Sequence, residues 1–201
     1  MIFVCSRKRR HSLSRFIHMS RPRLPGRVLI DDDDGSYDGM ELPPGWRYFM
    51  GERKSTIEIL NRAFRHFPDE PFYAVVCDDM VYQTKDWDKI LSESCGTNHV
   101  AWGSDGRWNS SLCTSFFIGG ELARRMGWLV HPGFGHLYAD QLWWEIATRA
   151  GISRYHPEVT FEHRKVADET FLQRRITGDR EKFKEVMESE ISELVERAKN
   201  G

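Results

Sequence analysis

The chain has 201 residues, of which 40% are hydrophobic and 29% are charged, with 29 lysines and arginines against 30 aspartates and glutamates. This length and balance predict one domain with a buried core, and they exclude a disordered or strongly polyionic protein. The longest apolar runs hold about five residues, whereas a membrane span needs about 20. A secretory signal is not expected either, because the basic cluster at 7–10 follows the first apolar run instead of preceding it.

The four cysteines are scattered singly, with no CxxC pair among them. Such spacing does not form a disulfide framework or a zinc motif. It predicts four reduced thiols and a cytoplasmic location. The cysteines are Cys5, Cys77, Cys95 and Cys113.

The charge is distributed unevenly along the chain. Residues 1–27 contain eight lysines and arginines and no acid, so the remainder is acidic. This basic end could bind a polyanion or a diphosphate, whose negative charge needs compensating donors. A solvated basic face is the alternative, and charge alone does not decide between the two.

Apolar runs and helical patterns alternate through the first half. The predicted strands there cover 2–5, 27–30, 46–50 and 72–77. One helix is predicted at about 12–19, and another begins at Ser55 or Thr56 and ends before Pro68. The run at 72–77, FYAVVC, is apolar throughout, which is typical of a central strand covered on both faces.

The second half is less regular. Its predicted strands cover 99–103, 113–118 and 159–161, and its predicted helices cover 87–91, 120–126 and 139–150. From about Asp179 the apolar residues are spaced by 4, 4, 3 and 4 positions, which predicts one amphipathic helix packed on the body of the protein rather than on a partner. The polar loops cover 104–111 and 131–137.

This alternation predicts an α/β sandwich with a mostly parallel central sheet. Ligands of such sheets bind beyond the carboxyl ends of the strands. Two of the predicted strands end in acidic clusters there, at 31–34 and at 78–79. We therefore expect the functional site at this edge of the sheet.

The acidic clusters contain candidate cation and nucleotide ligands. Asp78 and Asp79 follow a buried strand, where carboxylates can hold Mg²⁺ or Mn²⁺; a solvated turn is the alternative. In the other cluster Asp31, nearest the strand end, is the preferred nucleotide contact and Asp33 the next. The neighbouring acids Asp34 and Asp38 are expected in a solvated loop.

The predicted helix 139–150 begins with an acid and contains two adjacent tryptophans. Asp140 lies in the first turn, where the helix dipole favours its ionised form, so it could act as a general base on a hydroxyl. Trp143 and Trp144 cannot both face the core squarely. His163, directly after the strand 159–161, is a candidate metal ligand.

Taken in order, these segments resemble a small nucleotide-sugar glycosyltransferase of the GT-A type, similar to the large inverting glycosyltransferase family 2. The resemblance covers about residues 1–170. It rests on the first strand followed by SRKR, on VLIDDDD, ERKSTIEILNRAF and FYAVVCDDM, and on LYADQLWWEIATRAG followed by FEH. It implies a Rossmann-like GT-A domain at 1–170 and a helical extension at 171–201 packed on that domain.

The resemblance also implies roles for single residues. Carboxylates after the central strand of that family bind the Mn²⁺ or Mg²⁺ that bridges the donor diphosphate, which corresponds here to Asp78 and, as the direct ligand, Asp79. The catalytic base corresponds to Asp140, and a histidine that completes the metal shell corresponds to His163. The remaining nucleotide contacts implied are Ser6, Arg7 and Arg10, with Asp31 or Asp33 at the uracil or ribose.

The function implied is metal-dependent transfer of a sugar from a UDP-sugar to a hydroxyl acceptor, with inversion. The acceptor stays open between a hydroxymethylated pyrimidine in DNA, a glycan and a protein hydroxyl. Two other classes also stay open. Clustered aspartates with a histidine could hold two metals in a nuclease or phosphohydrolase, and a binding module would take the nucleotide sugar without turnover.

Overall fold

The computed structural model describes residues 1–164 and 178–200. The strands in these ranges are β1 (Ile2–Cys5), β2 (Gly26–Asp31), β3 (Arg47–Gly51), β4 (Phe72–Cys77), β5 (Met80–Tyr82), β6 (Val100–Ser104), β7 (Phe116–Gly119) and β8 (Ser153–His163). The helices are α1 (Arg10–Ser20), α2 (Thr56–His66), α3 (Trp87–Cys95), α4 (Gly120–Met126), α5 (Ala139–Ala150), α6 (Asp179–Ser189) and α7 (Ile191–Lys199).

The strands described form one mixed sheet in the order β3-β2-β1-β4-β7-β6-β8-β5. Strands β1 to β4 are parallel to their neighbours within that group, and β8 is parallel to β6. Strand β7 runs antiparallel to both β4 and β6, and β5 runs antiparallel to β8. The prediction of an α/β fold with a mostly parallel sheet is confirmed.

Hydrophobic side chains cover both faces of this sheet. On one face, residues of α1 and α3 such as Phe16 and Trp87 pack with Ile2 and Val4 of β1. On the other face, residues of α2, α4, α5 and the two C-terminal helices pack with Phe3 of β1. The strand β4 is central in the sheet as predicted, with β1 and β7 as its neighbours, which explains why its sequence is apolar throughout.

Local sequence signals account for several helix ends. Ser55 caps α2 by accepting from the Glu58 backbone N–H, while the Glu58 carboxylate accepts from the Ser55 backbone N–H. This reciprocal pair satisfies two of the donors that a helix start leaves open. At the C-terminal end of α5, Gly151 adopts a left-handed conformation at φ 73°, which glycine tolerates because it has no Cβ. Both ends agree with the predicted elements.

Three elements differ from the predictions. The strand β8 begins well before the predicted 159–161. Its first half was missed because it is polar and partly exposed and contains no apolar run. The three-residue strand β5 is too short to produce a period and was not predicted. The predicted single C-terminal helix is two, because a turn at Glu190, with φ −113°, interrupts it, while Ile191 still packs into the same core.

The two C-terminal helices pack on the body of the protein. Val186 of α6 and Leu194 of α7 join the core cluster that contains Trp143 of α5. Arg125 of α4 donates to the backbone carbonyls of Arg197 and Ala198 at 2.9 Å each, and so caps the end of α7. The start of the predicted extension, 171–177, lies outside the described residues. Of the helices described, none has the length and apolarity to cross a membrane.

Candidate active site

The register of the parallel strands brings the carboxyl ends of β1, β2 and β4 to one edge of the sheet. Cys5 at the end of β1 is paired with Leu29 of β2 and with Cys77 of β4. Ser6 and Asp78, which follow Cys5 and Cys77, are therefore neighbours in space, and Asp31 lies two residues beyond Leu29. Ser6, Asp31 and Asp78 all lie at this edge and are all buried.

A pocket opens at this edge. Its lining combines apolar side chains with polar and charged ones, which suits a ligand that has both an apolar and a charged part. Of the predicted nucleotide contacts, Ser6, Arg7, Asp31 and Asp78 line it, whereas Arg10 and Asp33 do not. The other lining residues are Cys5, Arg9, Leu29, Thr56, Ile59, Leu60, Val75, Val76, Cys77 and His136.

A chain of hydroxyl groups ends on Asp78. The Tyr37 hydroxyl donates to Ser6 Oγ at 2.6 Å, and Ser6 Oγ donates to Asp78 Oδ2 at 2.6 Å. Burial raises the pKa of Asp78 to about 6, and the hydrogen bond from Ser6 and the charge of Arg9 oppose that rise. Asp78 is therefore held in place by a network that the sequence predicted only through Ser6.

Arg9 connects the two aspartates that follow β4. Its Nη1 lies 3.3 Å from Asp78 Oδ1 and 3.7 Å from Asp79 Oδ2. The Arg9 side chain is only 10% exposed, so water screens little of the attraction between its charge and the two carboxylates. Sequence reasoning chose Arg7 and Arg10 and missed Arg9, because nothing in a run of four basic residues indicates which of them turns inward.

Asp79 contacts His163, which lies at the end of the strand paired with β5. The antiparallel pairing of β5 with β8 sets Met80 opposite His163. This register places His163 Nε2 3.1 Å from Asp79 Oδ1. The backbone N–H of Arg164 donates to the Asp79 carbonyl at 2.8 Å, which keeps the two strand ends together. The two residues predicted as metal ligands are thus adjacent.

The atoms of this pair fit a hard divalent cation. Two ligand atoms on neighbouring positions of an octahedral ion are about 3 Å apart, close to the separation of Asp79 Oδ1 and His163 Nε2. Within residues 1–164 and 178–200, no group of three or more His, Cys, Asp or Glu side chains forms a metal-binding cluster. The donor set therefore suits Mg²⁺ or Mn²⁺, which commonly takes one or two protein ligands and completes its shell with phosphate oxygens and water.

Another carboxylate of the pocket lining, Asp31, is held by Arg7. Arg7 Nε donates to Asp31 Oδ2, and its Nη2 donates to Asp31 Oδ1 at 3.1 Å. The same Nη2 donates to the Lys54 carbonyl at 2.9 Å, which ties the pair to the start of α2. This forked contact fixes the direction of the Asp31 carboxylate.

The other predicted residues of the acidic loop lie apart from the pocket lining. Arg10 Nη1 donates to the Asp38 carbonyl at 2.7 Å, so it supports the loop backbone. Asp33 and Asp38 are exposed. Asp34 is buried rather than solvated, since its carboxylate accepts from the backbone N–H groups of Lys8 at 2.7 Å and Ser36 at 3.1 Å.

Asp140 lies in the first turn of α5, as the sequence predicted. Burial raises the pKa of Asp140, and the Gln141 backbone N–H, which donates to Asp140 Oδ1 at 2.9 Å, opposes the rise. The charge of His163 also lowers the Asp140 pKa, which places the two side chains within electrostatic range. Asp140 is therefore near enough to His163 for their charges to interact.

The tryptophans of α5 point in different directions, as expected. Trp143 is buried and donates to the Leu129 carbonyl at 2.8 Å. Trp144 is half-buried and donates to the Ser110 carbonyl at 2.8 Å, so it joins α5 to the polar loop 104–111. The buried Trp143 cannot stack on a ligand, whereas Trp108 in the same loop is 45% exposed.

The comparisons bear on the fold. No known protein-family profile matches the chain, and no curated protein matches its sequence. A mannosyltransferase from Pyrobaculum calidifontis, PcManGT, solved with GDP-mannose and Mn²⁺, has a similar structure: the TM-score is 0.59 at 12% identity, over 98% of this chain and 72% of that one. The fold is GT-A-like. A Bacillus anthracis protein provisionally assigned as a glucose-1-phosphate thymidylyltransferase, solved with sucrose, aligns with a TM-score of 0.50 at 10% identity, over 86% of this chain and 92% of its own.

Within the GT-A-like fold, sequence reasoning missed the residues that depend on distant chain segments. Arg9 and Tyr37 support Asp78 from the N-terminal segments. Thr56 and His136 form another part of the pocket wall, with Thr56 Oγ1 and His136 Nδ1 3.2 Å apart. A histidine in a glycine-containing loop was visible in the sequence, but its neighbours were not.

Proposed function

We propose that this protein is a metal-dependent glycosyltransferase that moves a sugar from a nucleotide-sugar donor to a hydroxyl acceptor. One observation supports this proposal above all others. The pocket at the carboxyl edge of the sheet combines an apolar lining with the carboxylates of Asp31 and Asp78. Asp79 of the Asp79–His163 pair directly follows Asp78, and the charge of His163 acts in turn on the half-buried Asp140. A diphosphate donor needs these three features side by side.

The nucleoside of the donor lies between Asp31 and the apolar side chains of the pocket lining. The Asp31 carboxylate, fixed by Arg7, accepts from a base N–H or a ribose hydroxyl, and Ser6 and Asp78 line the path of the diphosphate. We propose a UDP-sugar as the donor. The mannosyltransferase of similar fold was solved with GDP-mannose, so GDP is the alternative that an experiment must include.

Asp79 and His163 would hold the divalent cation, with Asp78 next to them. When bound, Mn²⁺ or Mg²⁺ neutralises the diphosphate and so stabilises it as a leaving group. Arg9 already places a positive charge between the two carboxylates, 3.3 Å from Asp78. This charge preserves the shape of the acidic end and favours the approach of an anionic ligand.

Asp140 acts as the general base in this mechanism. Its carboxylate takes the proton of the acceptor hydroxyl while the hydroxyl oxygen attacks the anomeric carbon of the donor sugar. The bond between that carbon and the diphosphate oxygen breaks on the opposite face, which inverts the configuration. The raised pKa makes Asp140 a stronger base than an exposed aspartate.

We propose a sugar hydroxyl as the acceptor. The exposed indole of Trp108 lies in the loop that Trp144 of α5 holds beside the helix carrying Asp140, and an indole face packs well on the C–H face of a sugar. A DNA acceptor has less support, because several N-terminal arginines are already paired. Those pairs are Arg7 with Asp31, Arg9 with Asp78, and Arg23 with Asp86.

The alternative of a metal-dependent nuclease or phosphohydrolase is not favoured. Two-metal hydrolysis needs a larger set of ligands than the Asp79–His163 pair. The similar folds belong to a mannosyltransferase and to a protein assigned as a nucleotidyltransferase for a sugar phosphate.

A thermal-shift panel tests the proposal. UDP, GDP, UDP-sugars and GDP-sugars are each added with Mn²⁺, with EDTA, and alone. We expect one nucleotide with Mn²⁺ to raise the Tm more than the sum of the two separate effects, because nucleotide and metal complete one another's site. Plasmid cleavage under the same conditions, without any nucleotide-dependent shift, would support the hydrolase instead. Binding to duplex DNA at low salt would restore the DNA acceptor.

A further inference from the structure

The loop 131–137 forms one side of the donor pocket. His136 of this loop lines the pocket, and its Nδ1 lies 3.2 Å from Thr56 Oγ1 at the start of α2. Thr56 lies close in sequence to Lys54, whose carbonyl accepts from Arg7 of the Arg7–Asp31 pair. His136 is therefore at the nucleoside end of the pocket.

The backbone of this loop is held by one carboxylate of the C-terminal helices. Asp179, the first residue of α6, is 2% exposed. Its Oδ1 accepts from the Gly135 N–H at 2.7 Å, and its Oδ2 accepts from the N–H groups of His136 at 2.8 Å and Leu137 at 2.6 Å. Three consecutive N–H groups thus converge on one buried charge, an arrangement that defines the path of the loop.

A second contact joins the same loop to α6 and α7. His131 Nε2 lies 3.2 Å from Glu190 Oε2, and the Glu190 carboxylate is 39% exposed. This contact is at the far end of the loop from His136. One contact to a partly exposed carboxylate contributes little compared with three buried hydrogen bonds to a carboxylate.

We propose that Asp179 is a positioning residue for nucleotide recognition, which acts by holding His136 against the nucleoside of the donor. The proposal rests on the donor pocket described under the proposed function. It assigns the C-terminal helices a part in substrate binding, in addition to their packing on α5. Asp179 itself does not line the pocket; its influence passes through the loop backbone.

The test is a double-mutant cycle on nucleotide affinity. The variants are Asp179→Asn, His136→Ala and the double variant, and the probe is UDP or GDP, whichever stabilises the wild type in the presence of Mn²⁺. The new amide NH₂ of Asp179→Asn cannot accept the hydrogen bonds that one carboxylate oxygen receives, so the loop loses part of its support. We expect each single variant to raise the nucleotide Kd about tenfold and the double variant to raise it no further.

Glu190→Gln is the matched control, because it loosens the same loop at its other end. We expect it to leave the nucleotide Kd unchanged. If it weakens binding as much as Asp179→Asn does, or if the two single effects multiply in the double variant, Asp179 has a general structural role and the proposal is overturned. An unchanged Kd for Asp179→Asn overturns it too.

A measurement on the wild type covers the case in which Asp179→Asn fails to fold. Hydrogen exchange of a peptide spanning 131–137 should slow when the nucleotide binds, since His136 then contacts the ligand. Binding without any such change in this loop overturns the inference but leaves the donor site intact. A wild type that binds no nucleotide at all overturns the proposed function itself.

Discussion

His163 Nε2 lies 3.1 Å from Asp79 Oδ1, although His163 ends β8 and Asp79 lies in the turn between β4 and β5, far away in the chain. The cause is the antiparallel pairing of the short strand β5 with the end of β8, which sets Met80 opposite His163. A shift of this register by one residue would turn the His163 side chain to the other face of the sheet. The pairing of β5 with β8 therefore determines whether the two proposed metal ligands can meet.

Removing the imidazole should weaken metal binding. We expect His163→Ala to raise the Mn²⁺ concentration needed for half-maximal sugar transfer at least about tenfold, because one of two protein ligands is lost. A Mn²⁺ titration of the transfer rate measures this. His156→Ala is the control on the same strand, since His156 contacts Ser94 and Glu158 instead. Equal Mn²⁺ requirements for His163→Ala and the control would remove His163 from the metal site.

The Asp140 carboxylate should matter for the chemical step and not for donor binding. Asp140→Asn keeps the shape of the side chain but cannot take a proton at neutral pH, so we expect kcat to fall at least about 100-fold. The Kd of the donor nucleotide, measured by calorimetry, should stay close to that of the wild type. Glu145→Gln, on the same helix, should change neither value. Wild-type turnover by Asp140→Asn would exclude Asp140 as the base.

The exposed indole of Trp108 should affect the acceptor alone. If a sugar acceptor stacks on it, Trp108→Ala raises the acceptor KM by about tenfold, equivalent to the loss of one aromatic contact, and leaves the donor KM unchanged. Initial rates with each substrate varied in turn provide both constants. Met19→Ala removes an exposed apolar side chain on α1 and is the control. An acceptor KM that stays the same would place the acceptor elsewhere.

Asp34 should stabilise the fold in a pH-dependent way. Although burial opposes its ionisation, hydrogen bonds from Ser36 and Lys8 lower its pKa below the usual 3.8. A lowered folded-state pKa means that this stability is present above pH 3.8 and is lost as the pH falls through the folded-state pKa.

We expect Asp34→Asn to reduce the free energy of unfolding by about 1.5–3 kcal/mol at pH 7, the range of a hydrogen bond to a charged group. The difference from the wild type, obtained from urea titrations, should shrink towards low pH. Asp38→Asn, in the exposed part of the same loop, should show a small difference at every pH. A difference for Asp34→Asn that does not vary with pH would contradict the assigned cause.

Much of the sheet and its acidic edge could be predicted from local patterns. An apolar run such as β4 cannot be exposed, and the carboxyl ends of parallel strands meet at one edge of the sheet, so Asp31 and Asp78 were correctly expected at the same edge. The N-cap of α2 and the acid in the first turn of α5 were equally local. Their positions depend only on residues a few places away.

The partners of these residues were decided by the tertiary structure. Which arginine of the run 7–10 turns towards Asp78, whether His163 reaches Asp79, and what Asp179 binds all depend on contacts between distant segments. The periodicity of apolar side chains indicates which side of a helix or strand is buried. It does not indicate which other element packs against that side. The sequence by itself determined that acids line an edge of the sheet, and only the packing of β5, β8 and α6 decided which distant residues come close to that edge.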